Sequence, residues 1–175
     1  MSIEQVRDYL SRWNKDKDII EFTISTATVE LAASALGVIP ARIAKSISLR
    51  GGAQLAQGDQ LAQSAQLALS MENTAIIVVV AGDVKLDNQK FKSFFNFKAR
   101  MLNPEEALEY TGHAIGGVCP FALPPQVDVY LDDSMKRFTT VFPACGSSNS
   151  CIELTLKELE EYSRFKAWVD VCKSV

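Results

Sequence analysis

Thr74-Ala75-Ile76-Ile77-Val78-Val79-Val80-Ala81 is an apolar run in which six of eight residues are β-branched. Such side chains fit a pleated strand and lose rotamer freedom in a helix. No polar residue alternates with them. The run therefore predicts a strand buried on both faces, at the middle of a sheet. Glycine and proline aside, Ala75–Ala81 is also the longest apolar run, at seven residues. A bilayer span needs about 20.

Upstream, Ile3, Val6, Leu10 and Trp13 recur at helical spacing, which predicts an amphipathic helix over 3–13. A second helix is expected over 26–36, capped by Ser25 or Thr26 and stopped by Gly37 and Pro40. Ile43–Leu49 reads as a short strand carrying Lys45. Residues 53–70 spell a six-residue repeat, AQLAQG-DQLAQS-AQLALS. Three imperfect copies without strand residues make a poor β-helix, so a low-complexity surface insertion is expected there.

Downstream, residues 87–95 predict a helix capped by Asp87. Asn103-Pro104-Glu105-Glu106 is a helix start with a cap, a proline at the first position and a glutamate at the third. That helix ends at Thr111-Gly112. Val127–Leu131, Phe138–Phe142 and Ile152–Leu154 read as strands. Thr155-x-x-Glu158 opens a last helix with Leu156, Leu159, Tyr162, Trp168 and Val169 inward. Strands interrupted by helices at uneven intervals predict an α/β (α+β) chain with one mixed sheet. Residues 1–175 show no domain boundary.

The 175 residues carry a net charge of −3, with 47% hydrophobic and 22% charged residues. These values fit a globular protein and exclude a generally basic nucleic-acid binder. The N-terminus has no cationic flank or apolar core, so a cytoplasmic location is expected. Cys119, Cys145, Cys151 and Cys172 contain no C-x-x-C pair, and His113 is the lone histidine. That is a poor ligand set for zinc, and four free thiols are expected. A Ser-His-Asp or Cys-His catalyst would have to use His113, and no G-x-S-x-G elbow, P-loop or dinucleotide fingerprint is present.

Gly112-His113-Ala114-Ile115-Gly116-Gly117-Val118-Cys119-Pro120-Phe121 holds three glycines and a proline between a helix and a strand. Successive N–H groups in such a loop can converge on an anion or a developing oxyanion. A purely structural turn fits equally well. Pro143–Ser150 is a second loop of small polar residues. From Met101 to Met135 there are six acids and no Lys or Arg. From Val84 to Arg100, five cations interleave with Phe91, Phe94, Phe95 and Phe97. That pattern suits either a nucleic-acid contact or a helix with phenylalanines in and lysines out.

Three motifs together resemble the YbaK/EbsC family, the aminoacyl-tRNA deacylases related to the editing domain of bacterial prolyl-tRNA synthetases. They are TATVELAASALGVIPARIAKSI (26–47), GHAIGGVCPF (112–121), and VYLDDSM (129–135) followed by VFPACGSSNSCIEL (141–154). The resemblance implies a compact barrel-like mixed sheet with flanking helices. It implies hydrolysis of the ester joining a wrong amino acid to the tRNA terminus, with water as nucleophile and the adjacent ribose hydroxyl assisting. The resemblance makes Lys45 the essential cation. It places Gly116 and Gly117 at the reacting carbonyl. It assigns Thr28, Gly112, His113, Pro120, Phe121, Asp132, Gly146, Ser147 and Asn149 to the substrate, with Asp132 on its α-ammonium. No cofactor or metal is implied. The expected partners are the acceptor end of a mischarged tRNA, foremost tRNA-Pro carrying a small amino acid such as Ala or Cys, and prolyl-tRNA synthetase. No membrane or DNA is expected. The chain departs from the family in having Ser46 where threonine is usual, Cys145 ahead of Gly146, and the 53–70 insertion. Two other readings are a non-catalytic paralogue binding an aminoacylated or nucleotide ligand, and a thiol enzyme using Cys119 or Cys145.

Overall fold

A computed structural model describes residues 2–52 and 75–175. The repeat at 53–70 lies outside the described residues. Among the described residues there are ten strands: β1 Ile20–Glu21, β2 Ile43–Arg50, β3 Ala75–Ala81, β4 Val84–Leu86, β5 Val127–Asp132, β6 Thr140–Pro143, β7 Ser150–Cys151, β8 Leu154–Thr155, β9 Ala167–Val169 and β10 Cys172–Ser174. The described residues also form five α-helices: α1 Ser2–Ser11, α2 Val29–Leu36, α3 Asn88–Phe95, α4 Pro104–Thr111 and α5 Leu156–Ser163.

The main sheet has the order β8-β6-β2-β3-β5-β9 and curls into a half-barrel. It is mixed. β3 runs antiparallel to β2 and parallel to β5, and β2 runs parallel to β6. Every residue of β3 is buried, as an all-apolar run demands. Two small ribbons, β1–β7 and β4–β10, complete the strand pairing.

The helix starts follow their capping chemistry. Asn103 and Glu106 form a full capping box at α4, and Thr155 and Glu158 form another at α5. The α2 helix begins later than the pattern suggests. Thr28, not Ser25 or Thr26, accepts the Leu31 N–H, and Gly37 ends the helix at φ 67°. The α5 helix stops at Ser163, so Trp168 and Val169 belong to β9 and not to a helix face. Ile152 and Glu153 separate two short strands, β7 and β8, where one was expected. In the basic–aromatic segment, Phe91, Phe95 and Phe97 pack ring against ring, whereas Phe94 is 49% exposed.

Candidate functional site

A cavity of about 370 Å³ opens beside β2. Its position follows from an interruption in the sheet. On the flank toward β3, β2 is paired without a break from Ala44 to Arg50. On the other flank, β6 pairs only with Ile43 and Ala44. The next contact on that side is Leu49 with Met101, where Leu102 N–H donates to the Ser48 carbonyl and Arg50 N–H to the Arg100 carbonyl. Between these contacts, Lys45–Ile47 has no strand partner on that flank among the described residues.

Other elements wall this gap. Thr26, Ala27, Thr28 and Val29 bring the start of α2 to it. Ile115, Gly116 and Val118 come from the glycine loop, and Met101 and Leu102 from the segment before α4. Phe142 and Ala144 close one end, with Ser150 and Cys151 behind them. One carboxylate ties two walls together. Glu106 accepts the Asn103 N–H at 3.0 Å and also pairs with Arg50 at the end of β2.

The expected site residues divide into two groups. Thr28, Lys45 and Gly116 line the cavity. The regular register of β2 sets Lys45 on the face opposite Ala44 and Ser46. Its ammonium donates to the Val84 carbonyl at 2.5 Å. Gly116 has φ 91°, a conformation that favours glycine.

The remaining residues support these walls from behind. Gly117 donates its N–H to Ala114, and a Cβ there would lie 2.8 Å from the Gly146 backbone. It is therefore a close-packing residue and not a second donor to the cavity. Gly112 is the left-handed C-cap of α4. His113 is buried and bonded to the Ser2 hydroxyl and, at 2.8 Å, to the Phe121 carbonyl. Burial holds its pKa below 6.5, so the ring is a neutral structural bridge. Pro120 and Phe121 are buried and do not line the cavity.

Asp132 also stands apart from the cavity. Its two carboxylate oxygens accept from Ser134 N–H at 2.9 Å and Val171 N–H at 3.0 Å, and it is 1% exposed. A substrate ammonium finds no free oxygen there. Gly146 packs on Ser2, with φ 87°. The Ser147 hydroxyl donates to the Asn149 amide oxygen and accepts from the Ser150 hydroxyl, and the Asn149 amide NH2 donates to the Phe22 carbonyl at 2.7 Å. These two residues fasten the strand that leads into the α2 wall.

Several wall residues were given no site role by the motifs: Ser46, Ile115, Phe142 and Cys151 lie within them, and Ser48 and Met101 outside. One signal was present. Ala44, Ser46 and Ser48 are small residues at alternate positions of a predicted strand, which marks one face as uncrowded. The four thiols are buried. Burial pushes Cys119, Cys151 and Cys172 up to about 12 and Cys145 well above its usual value. A nucleophilic thiolate is therefore disfavoured at neutral pH. Among the described residues, no cluster of His, Cys, Asp and Glu is placed to hold a metal, and no helix is long and apolar enough to cross a membrane.

Comparison with known proteins identifies the setting of this cavity. YwhH of Bacillus subtilis (strain 168), an uncharacterized protein, is 54% identical over 173 residues, covering 99% of this chain and 98% of its own. A crystal structure described as a candidate trans-editing enzyme for prolyl tRNA synthetase superposes with a TM-score of 0.78 at 26% identity, over 99% of this chain and 98% of that one. A hypothetical protein shares the fold with a TM-score of 0.72 at 24% identity, over 94% of this chain and 99% of that one. The model of the aminoacyl-tRNA editing domain matches residues 23–162, which takes in all five walls of the cavity. The chain belongs to the aminoacyl-tRNA editing domain family.

Proposed function

We propose that this protein is a trans-acting deacylase that removes a small, wrongly attached amino acid from tRNA-Pro. The observation that carries the reading is the meeting of Lys45, Gly116 and the start of α2 around one cavity within the family domain. Water adds to the ester carbonyl and the bond from carbonyl carbon to ribose oxygen breaks. The ribose oxygen takes up the proton that the water releases, with the neighbouring ribose hydroxyl as relay. Gly116 is the donor to the oxyanion. Lys45 supplies the cation. Its ammonium is a compact hydrogen-bond donor with no acceptor, so a binding role is assigned to it.

Charge on the rim supports a nucleic-acid partner. Nine of the eighteen Lys and Arg among the described residues sit beside a carboxylate, as Arg42 does with Glu153 and Lys90 with Asp170. Lys92, Lys98 and Arg100 are exposed and have no such partner among the described residues. They lead directly to Met101 on the cavity wall. Unpaired cations at this point suit the phosphates of an acceptor strand.

The test is release of amino acid from a panel of mischarged tRNAs by the wild type and Lys45→Ala. At least one substrate should be hydrolysed, and the variant should lose at least about a hundredfold, since a charged hydrogen bond confined to the transition state is worth about 3 kcal/mol. Removing the terminal vicinal hydroxyl from that substrate should cripple turnover. Binding without release across the whole panel would favour the non-catalytic paralogue.

A further inference from the structure

The gap in β2 centres on Ser46. Its hydroxyl oxygen is shielded from water and has no hydrogen-bond partner; among the described residues only one other side-chain atom, Arg50 Nε, shares that condition. Ser46 lines the cavity. Its peptide groups point the same way. In a regular antiparallel pair, alternate residues direct N–H and C=O to the same flank. Ser48 and Arg50 direct theirs toward residues 100–102. By that two-residue period Ser46 directs its own into the gap, where neither β6 nor Met101 reaches it.

Ser46 thus brings a hydroxyl, an amide donor and a carbonyl acceptor to one point of a lining that also holds Ala32, Ala44, Val118 and Phe142 and the hydroxyl residues Thr26, Thr28, Ser48 and Ser150; of these side chains only that of Ser46 is a buried group without a hydrogen-bond partner. A buried hydroxyl without a partner is unfavourable until something bonds to it. The peptide carbonyl and amide suit the parts common to every aminoacyl ester, its ammonium and its carbonyl. The hydroxyl is left for the part that varies.

We propose that the Ser46 hydroxyl reads the amino-acid side chain and selects small hydroxyl-bearing residues, serine foremost, over alanine. The assignment rests on the deacylase reading above. A site that hydrogen-bonds a substrate hydroxyl discriminates strongly against the analogue that lacks it, because the protein group is then left unpaired.

The experiment charges one tRNA-Pro with serine or with alanine and measures kcat/KM for the wild type, Ser46→Ala and Ser46→Thr. The wild type should prefer the seryl ester. Ser46→Ala should lower seryl release about tenfold, the effect of one hydrogen bond, and leave alanyl release nearly unchanged. Ser46→Thr should restore the seryl preference. An equal fall on both esters would mean that the hydroxyl holds a common group, and the assignment fails. No change on either ester, or a wild-type preference for alanine, also overturns it while the deacylase reading stands. A wild type that releases no amino acid from any charged tRNA defeats both.

Discussion

The two flanks of β2 behave differently. Toward β3, seven residues are paired in unbroken register against a strand with no exposed side chain. Toward β6 and Met101, pairing stops and resumes, and the cavity occupies the interval. The first flank is made of the most hydrophobic sequence in the chain. Along the second, Ala44, Ser46 and Ser48 alternate with Lys45 and Ile47. A single strand therefore serves as scaffold on one edge and as site on the other, and the rigidity of the first fixes the geometry of the second.

Substitutions on each flank should separate these roles. The largest effect is expected from Ile77→Ala, a fully buried residue paired with Ser48. It should cost about 2–5 kcal/mol in denaturant unfolding. The ratio of seryl to alanyl release should not move in the fraction that remains folded. A changed ratio would show that the closed flank takes part in selection.

Gly117→Ala comes next. The new Cβ would meet the Gly146 backbone at 2.8 Å, where no flexible side chain can yield. A loss of about 1–3 kcal/mol is expected, together with a raised KM as the glycine loop shifts over the open flank. Unchanged stability would contradict the packing role given to Gly117.

Behind that loop, His113 should make stability depend on pH. Its folded pKa lies below 6.5, so the unfolded chain takes up a proton that the folded chain refuses. The contribution is fully present above about pH 6.5 and is lost as pH falls toward the folded value. The unfolding midpoint should decline between about pH 7 and pH 5, and His113→Gln should flatten that slope. An equal slope in the variant would exclude the histidine as its source.

A smaller effect of opposite sign is expected on the open flank. Ser46→Ala removes an unpaired buried hydroxyl and should stabilise the ligand-free protein by up to about 1 kcal/mol. A loss of stability would mean that the hydroxyl already has a partner. The smallest effect should follow thiol alkylation. At neutral pH, iodoacetamide should leave release by the native protein unchanged, because burial keeps the Cys151 thiol at the cavity protonated.

Much of the scaffold was legible because its signals are local. The β-branched run gave β3, and the Asn103 and Thr155 boxes gave the starts of α4 and α5 to the residue. The end of α5 was misread because Trp168 and Val169 continue a helical spacing that Arg164, in the left-handed conformation, interrupts. The short strands β1, β4 and β10 left no pattern, since pairing with distant segments creates them.

The site was legible in its motifs and not in its walls. The glycine motif contributes Gly116 and its neighbours to the cavity, whereas His113 and Phe121 turn into the core. Nothing in the spacing separates these halves. Only the third dimension shows which N–H is already bonded. Met101 and Ser46 line one cavity because Met101 pairs with Leu49, a strand contact between residues about fifty positions apart, which no local pattern encodes.

Glu106 does not line the cavity, yet it braces two segments that lead into its walls. It holds the first turn of α4 and the end of β2 with one side chain, beside the backbone hydrogen bonds that join Ser48 and Arg50 to residues 100–102. Selectivity in this fold can therefore drift through residues that no ligand touches. Loosening that clasp would admit bulkier guests while every contacting group kept its identity.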